Sequence, residues 1–178
     1  MNKILAAIAF AADKHRNQRR KDAAGSPYIN HPIALANVLA NEAGIDDERV
    51  LIAAILHDTV EDTETTAQEL VRHFGQEIAD IVLEVTDDKS LLKAERKQQQ
   101  IDHAPTISRR AKLVKLADKI CNLRDIASSP PAGWSLRRKQ DYFDWAKAVI
   151  DGLRGVHPSL EFLFDTAYKA RPTKTLEG

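Results

Sequence analysis

The chain has little cysteine, few glycines and prolines, no net charge and no long apolar run. A single cysteine, Cys121, among 178 residues excludes an internal disulfide and a cysteine-rich zinc site. It sits in an apolar stretch with helical spacing and reads as a buried structural thiol. Seven glycines and seven prolines exclude a low-complexity linker protein. Lys and Arg total 26 and Asp and Glu total 26, so the formal charge is zero. A protein that wraps nucleic acid carries a basic excess, because phosphate neutralisation supplies most of its affinity. No nucleic-acid partner is therefore expected, and any phosphate must be met by a local cluster. No apolar run approaches the roughly 20 residues that cross a bilayer. Met1-Asn2-Lys3 followed by Ile4 to Ala12 imitates a secretory signal, but Asp13, Lys14, His15 and Arg16 arrive too early for one. Ile4, Leu5, Ile8, Ala11 and Ala12 also fit helical spacing. We expect an amphipathic first helix and a cytoplasmic protein with no membrane partner.

What is present is an ordinary globular balance, 43% hydrophobic and 29% charged, at a length that suits one domain. The periodicity predicts an all-α fold. Helices are expected over Lys3 to Asn17, from His31-Pro32 to near Gly44, and over Glu48 to Val60 behind the N-cap candidates Asp46 and Asp47. A proline at the first helical position loses no hydrogen bond. The run Val50 to Leu56 is apolar on all sides, which marks a central helix. Thr66 to Glu69 has capping-box form, so a short helix should end near Gly75. Further helices are expected over Glu77 to Val85, Lys93 to Asp102, Ser108 to Leu123 and from Ser135 to Leu153. Pro158 opens a last one that ends before Arg171. The domain should cover 1–172, with 173–178 a disordered tail. No strand pattern or repeat is visible.

The informative string is His57-Asp58-Thr59-Val60-Glu61-Asp62, at the end of the most buried helix. His57 and Glu61 are four residues apart, as are Asp58 and Asp62, so each pair shares a helix face. Polar groups ending an apolar helix are costly unless they are paired or bind a metal. Alone, an adjacent His and Asp is a weak signal. His31 begins a helix, however, and Asp118 interrupts the apolar stretch Leu113 to Leu123 and requires a partner. A pairing with Lys115 or Lys119 would satisfy it; so would a cation shared with His31 and His57. Two His and two Asp suit a six-coordinate manganese, iron(II) or magnesium better than a closed zinc site. Such an ion lowers the pKa of a bound water, and Glu61 and Asp62 stand where they could move protons. Lys14, Arg16, Arg19, Arg20 and Lys21 form a basic cluster. It reads either as a solvated loop or as a phosphate site.

The order His31…His57-Asp58…Asp118 resembles the HD superfamily of metal-dependent phosphohydrolases. The strings His15-Arg16-Asn17-Gln18-Arg19-Arg20-Lys21, Gly25-Ser26-Pro27-Tyr28-Ile29-Asn30-His31-Pro32, His57 to Thr63 and Lys115-Leu116-Ala117-Asp118-Lys119-Ile120-Cys121-Asn122-Leu123-Arg124 narrow the resemblance. They are similar to the hydrolase domain of the RelA/SpoT family, above all to stand-alone small alarmone hydrolases of the metazoan SpoT homologue type. The similarity runs from about residue 3 to about residue 165 and includes Val85 to Lys89 and Gly133-Trp134-Ser135.

The resemblance implies an HD-domain helical bundle whose central buried helix ends in His57-Asp58. It also implies a 3′-pyrophosphohydrolase that acts on the guanine nucleotides ppGpp and pppGpp with one Mn²⁺ per chain. By matching position, His31, His57, Asp58 and Asp118 would be the metal ligands, and Glu61 and Asp62 the catalytic acid/base pair in either order. Arg20 and Lys21 match the pair that packs on the base and holds phosphate. Asn122 matches a position near ribose and metal, and Arg138, Tyr142 and Lys93 match phosphate contacts. Two other readings follow from the same family. One is removal of the 2′-phosphate of NADPH, or action on another nucleotide; the other is an inactive nucleotide-binding module. Asp22 stands where long family members carry a small hydroxyl residue, which bears on base selectivity. Those long proteins append a synthetase domain for which 178 residues leave no room, so degradation alone is expected.

Overall fold

The central helix explains the rest of the molecule. In the computed structural model, which describes residues 2–173, α3 (Glu48–Leu56) starts where the Asp47 side chain accepts from the Arg49 amide. All seven residues from Val50 to Leu56 are buried. Each large side chain so buried contributes about 1.5–3 kcal/mol. A helix apolar on every side needs neighbours on every side. It has them in α1 (Asn2–Lys14), α2 (Asn30–Asn37), α6 (Gln76–Val85) and α8 (Arg109–Ser128).

The local signals that start helices are realised. Ser108 accepts from the Ala111 amide at the head of α8. Ser135 does the same from the Arg138 amide for α9 (Leu136–Asp151). Thr66 accepts from the Glu69 amide for α5 (Ala67–Phe74). The Glu69 carboxylate, however, pairs with Lys14 at 3.0 Å rather than completing a capping box. Between α5 and α6 the chain passes through Gly75 at φ 93°, a left-handed value that favours glycine. The remaining elements are α7 (Lys93–His103) and α10 (Pro158–Tyr168), the latter packed on α8.

Three expectations are corrected. The third helix does not run to Val60. It ends at Leu56, and His57-Asp58 turn the chain into the short α4 (Thr59–Asp62). Asp58 sits at φ −100°, ψ 0°, the sparsely allowed bridge region where active-site residues recur. The cause is local competition for carbonyls: the Thr59 hydroxyl donates to Leu56 O at 2.7 Å and His57 Nδ1 bonds Ala54 O at 2.8 Å. The eighth helix continues past Leu123 to Ser128 because Leu123 and Ile126 keep facing the core. Pro32 is the third rather than the first residue of α2, still in the first turn, where an amide has no helical acceptor. Downstream, α2 loosens into a π-helical turn, Val38–Glu42, and Ile33 is left 42% exposed.

Among the described residues there is no strand, as expected for an all-α chain. Arg19 and Pro27 form an isolated antiparallel bridge. With Arg20 N bonded to Ser26 O and Tyr28 N to Gln18 O, it folds the basic segment into a hairpin beside α2. No helix of the described residues is long and apolar enough to cross a membrane. Of the expected tail, 174–178 lie outside the described residues.

Candidate active site

His31 near the start of α2, His57 at the end of α3 and Asp118 in the middle of α8 meet where those three helices pack. One ligand atom from each lies within 4.8 Å of the others. Both imidazoles are buried, with ring centroids 5.3 Å apart. His57 commits Nδ1 to the Ala54 carbonyl, which points Nε2 into the cluster. There Nε2 is buried without a hydrogen bond, 2.9 Å from Asp58 Oδ2 and 3.9 Å from Asp118 Oδ1. His31 Nε2 lies 3.1 Å from Asp118 Oδ1. An orphaned buried nitrogen beside two carboxylates is what a site for a divalent cation presents before loading.

The electrostatics agree. Burial disfavours a charged His57, but Asp58 and Asp118 outweigh it and hold its pKa at about 9. Burial lowers the pKa of His31 despite its contact with Asp118. Asp58 and Asp118 are both held well below the usual carboxylate range. Burial works against this, but His57 overcomes it at Asp58, and Lys119 does so at Asp118. Two ionised carboxylates thus share a buried pocket with a pair of imidazoles. The nitrogen and oxygen donors fit a divalent cation, whose binding would require His57 in its neutral form.

Glu61 and Asp62 follow on α4. The Glu61 carboxylate accepts from the Asp87 amide at 3.1 Å, and burial, reinforced by the charge of Asp58, pushes its pKa up to about 7. Asp62 accepts from Gln18 Nε2 at 3.2 Å and is ion-paired with Lys89. The segment from Asp87 to Lys89 therefore touches both carboxylates.

Above this inner pocket of about 340 Å³ opens a cleft of about 900 Å³. Arg20 donates to Asp125 at 2.6 Å, and its guanidinium stands 5.7 Å over the Tyr28 ring. The Tyr28 hydroxyl in turn donates to Asp58. Across the cleft, Arg138 lies 4.3 Å over Trp134. Tyr142 stands between Trp134 and Trp145, with centroids 5.9 and 5.2 Å away.

A profile of the HD domain family matches residues 7–142. The chain belongs to the HD domain family. It is 57% identical over 162 residues to the guanosine-3′,5′-bis(diphosphate) 3′-pyrophosphohydrolase MESH1 of Xenopus tropicalis, covering 91% of this chain and 90% of that one. The protein of the same name from Homo sapiens is 55% identical over 168 residues, 94% of each chain. A solved structure described as "A metazoan ortholog of SpoT hydrolyzes ppGpp and plays a role in starvation responses" superimposes with a TM-score of 0.93 at 48% identity over 96% of both chains. The resemblance seen in the motifs is borne out, as is the all-helical fold.

Within this HD domain every residue that the family resemblance assigned to the site lies at the cleft or its floor, whereas Lys14 and Arg16 of the basic cluster pair with Glu69 and Asp13 outside it. His57, Asp58, Glu61 and Asp118 line the inner pocket; Arg20, Lys21, His31, Asp62, Asn122 and Tyr142 line both spaces; Lys93 and Arg138 line the outer cleft. Asp58 lies beside the cluster of His31, His57 and Asp118, touching it through His57 Nε2 at 2.9 Å. Asp118 has both kinds of neighbour considered for it, since Lys119 Nζ donates to its Oδ2 at 3.0 Å. Cys121 is buried, its thiol pushed up to about 12 by burial, as a structural thiol should be.

Sequence reasoning missed Tyr28, Arg96, Lys97 and Trp145. Tyr28 carried one usable signal, its place three residues before His31 on a basic hairpin. Arg96 and Lys97 belong to a helix that read only as charged. Trp145 is brought to the cleft by the packing of α9 on α7, where its indole donates to Lys97 O at 3.1 Å.

Proposed function

We propose that this chain is a metal-dependent guanosine-3′,5′-bis(diphosphate) 3′-pyrophosphohydrolase, with residues 1–172 as one cytoplasmic hydrolase domain that uses Mn²⁺. The observation that carries the reading is the meeting of His31, His57 and Asp118 at the floor of a cation-lined cleft, in a chain that matches proteins of that name over nearly its full length.

In the reaction an oxygen of water joins the phosphorus next to the ribose. The bond from that phosphorus to O3′ breaks, and one proton of the water ends on O3′. The products are pyrophosphate and GDP or GTP. A divalent ion held by His31, His57, Asp58 and Asp118 would supply Lewis-acid polarisation and a water of lowered pKa. Glu61 and Asp62 accept the water proton and deliver one to O3′. With a pKa near 7, Glu61 is able both to hold and to release a proton at neutral pH. Asn122 Nδ2 orients Asp118 Oδ1 at 2.8 Å. Arg20 and Lys21 bind phosphate and cover the base, and Arg138, Tyr142 and Lys93 contact phosphate from the far wall.

The test is turnover of ppGpp by purified protein with Mn²⁺, followed as pyrophosphate release, beside NADPH and deoxynucleoside triphosphates. Release from ppGpp that disappears in Asp58→Ala supports the reading. No release, undiminished activity in that variant, or a clear preference for NADPH overturns it.

A further inference from the structure

The cleft contains unused positive charge. Lys21, Lys93, Arg96, Lys97 and Arg138 all line it, and among the described residues none is within ion-pair distance of a carboxylate. The carboxylates along the same walls are committed. Asp22 is bonded by Ser26, Asp62 by Lys89, Asp87 by Gln100, Asp125 by Arg20 and Asp141 by Arg137. In a protein with no net charge, such an imbalance in one cavity points to a polyanionic ligand.

Three of these cations are on α7. Lys93, Arg96 and Lys97 are spaced three and four apart, so they share a face. Arg96 has a buried Nε with no hydrogen-bond partner, which native structures rarely leave without reason. The Lys97 ammonium is held 4.8 Å over Trp145 and 6.0 Å over Tyr142. Burial and then the charge of Lys93 lower its pKa, so an anion beside it would relieve both. All three line the outer cleft and none lines the inner pocket that holds His57, Glu61 and Asp118. They are therefore placed for phosphates remote from the bond that breaks.

Beyond the phosphate contact already given to Lys93, we infer that Arg96 and Lys97 extend the site along the 5′-phosphate chain, where they bind a third 5′-phosphate and favour the pentaphosphate over the tetraphosphate. The inference rests on the hydrolase reading: with the 3′-diphosphate in the inner pocket, the 5′ chain leaves the ribose toward the outer cleft. Guanidinium and ammonium groups at this spacing offer one bidentate and two point contacts to adjacent phosphates.

The experiment compares kcat/KM for pppGpp and ppGpp in Mn²⁺-loaded wild type, Arg96→Gln, Lys97→Gln and the double variant, with Lys3→Gln as a control far from the cleft. The wild type should prefer pppGpp. In the double variant that preference should fall by about fivefold or more, through KM, as loss of a charge-assisted contact predicts. Arg96→Lys should retain most of it. An unchanged ratio, or an equal loss on both substrates, overturns the subsite. Calorimetric binding of GTP and GDP supplies a readout independent of turnover. The wild type should bind GTP more tightly and the double variant should lose that difference; equal affinities in the wild type overturn the inference. If the wild type hydrolyses neither nucleotide, the hydrolase reading fails, and the GTP and GDP affinities still decide the subsite. Should Arg96→Gln fail to fold, Lys97→Gln decides by the same two ratios.

Discussion

Asn122 Nδ2 donates to Asp118 Oδ1 at 2.8 Å, the same oxygen that lies 3.1 Å from His31 Nε2. One helical turn of α8 thus carries both a carboxylate of the cluster and the amide that aims it. With Lys119 on the other oxygen, the Asp118 carboxylate has little freedom to turn.

That relationship predicts the behaviour of Asn122→Ala. Removing a group that orients a metal ligand lowers metal affinity by roughly 10–100-fold. Titrating metal-stripped protein with Mn²⁺, and reading the concentration that restores pyrophosphate release, checks it. A half-saturating concentration equal to the wild type would show that Asn122 does not act through Asp118.

Tyr28→Phe should act on the neighbouring ligand. The Tyr28 hydroxyl donates to Asp58, whose ionised, half-buried carboxyl has His57 Nε2 as its other close partner, 2.9 Å from the same oxygen. Deleting that hydroxyl removes a hydrogen bond to a charged group, worth about 1.5–3 kcal/mol. Chemical denaturation of the metal-free protein should show a lower midpoint with an unchanged slope. A change in slope would instead indicate altered compactness.

Glu61→Gln should uncouple stability from activity. In the folded protein this carboxyl titrates near 7, against 4.5 when unperturbed, chiefly because it is buried. The neutral form therefore stabilises the fold below about pH 4.5, and that contribution is lost as pH rises through about 7. Above it, the buried charge destabilises by up to about 3 kcal/mol. In EDTA at pH 8, Glu61→Gln should melt higher than the wild type, with the two converging at pH 4.5. With Mn²⁺ its turnover should fall by about 10²–10⁴-fold, and wild-type kcat/KM should change slope near pH 7. Equal melting temperatures at pH 8 would rule out the buried-charge account.

Gly152→Ala tests the seam between α7 and α9. A Cβ there would stand 2.9 Å from Ala104 Cβ and 3.3 Å from Pro105 Cδ. Both neighbours belong to the turn that ends α7, so the two helices must separate slightly. Overpacking of this kind costs about 1–3 kcal/mol. Thermal denaturation should show the loss; a variant as stable as the wild type would mean that the turn yields freely.

Helix starts were legible because capping is local. Asp47, Thr66, Ser108 and Ser135 each accept from an amide two or three residues ahead, and four-residue patterns show such bonds. The buried course of α3 was legible for a similar reason, since a segment apolar on all faces has only one stable place. The break at His57-Asp58 was not. It depends on which carbonyls His57 and Thr59 capture, and helix-compatible residues hide that choice.

By itself, the order of residue types determined an all-helical chain, a central apolar helix, and a set of His and Asp whose strings match one family. Only the tertiary structure decided which charges meet. Glu61 is set by an amide 26 residues away and Asp62 by a lysine 27 residues away. The three cations of α7 face the cleft only because α9 packs on that helix through Trp145 and Lys97. Helical periodicity and capping act over a few residues, so sequence order displays them. Desolvation and Coulomb forces depend on separation in space, which packing alone sets.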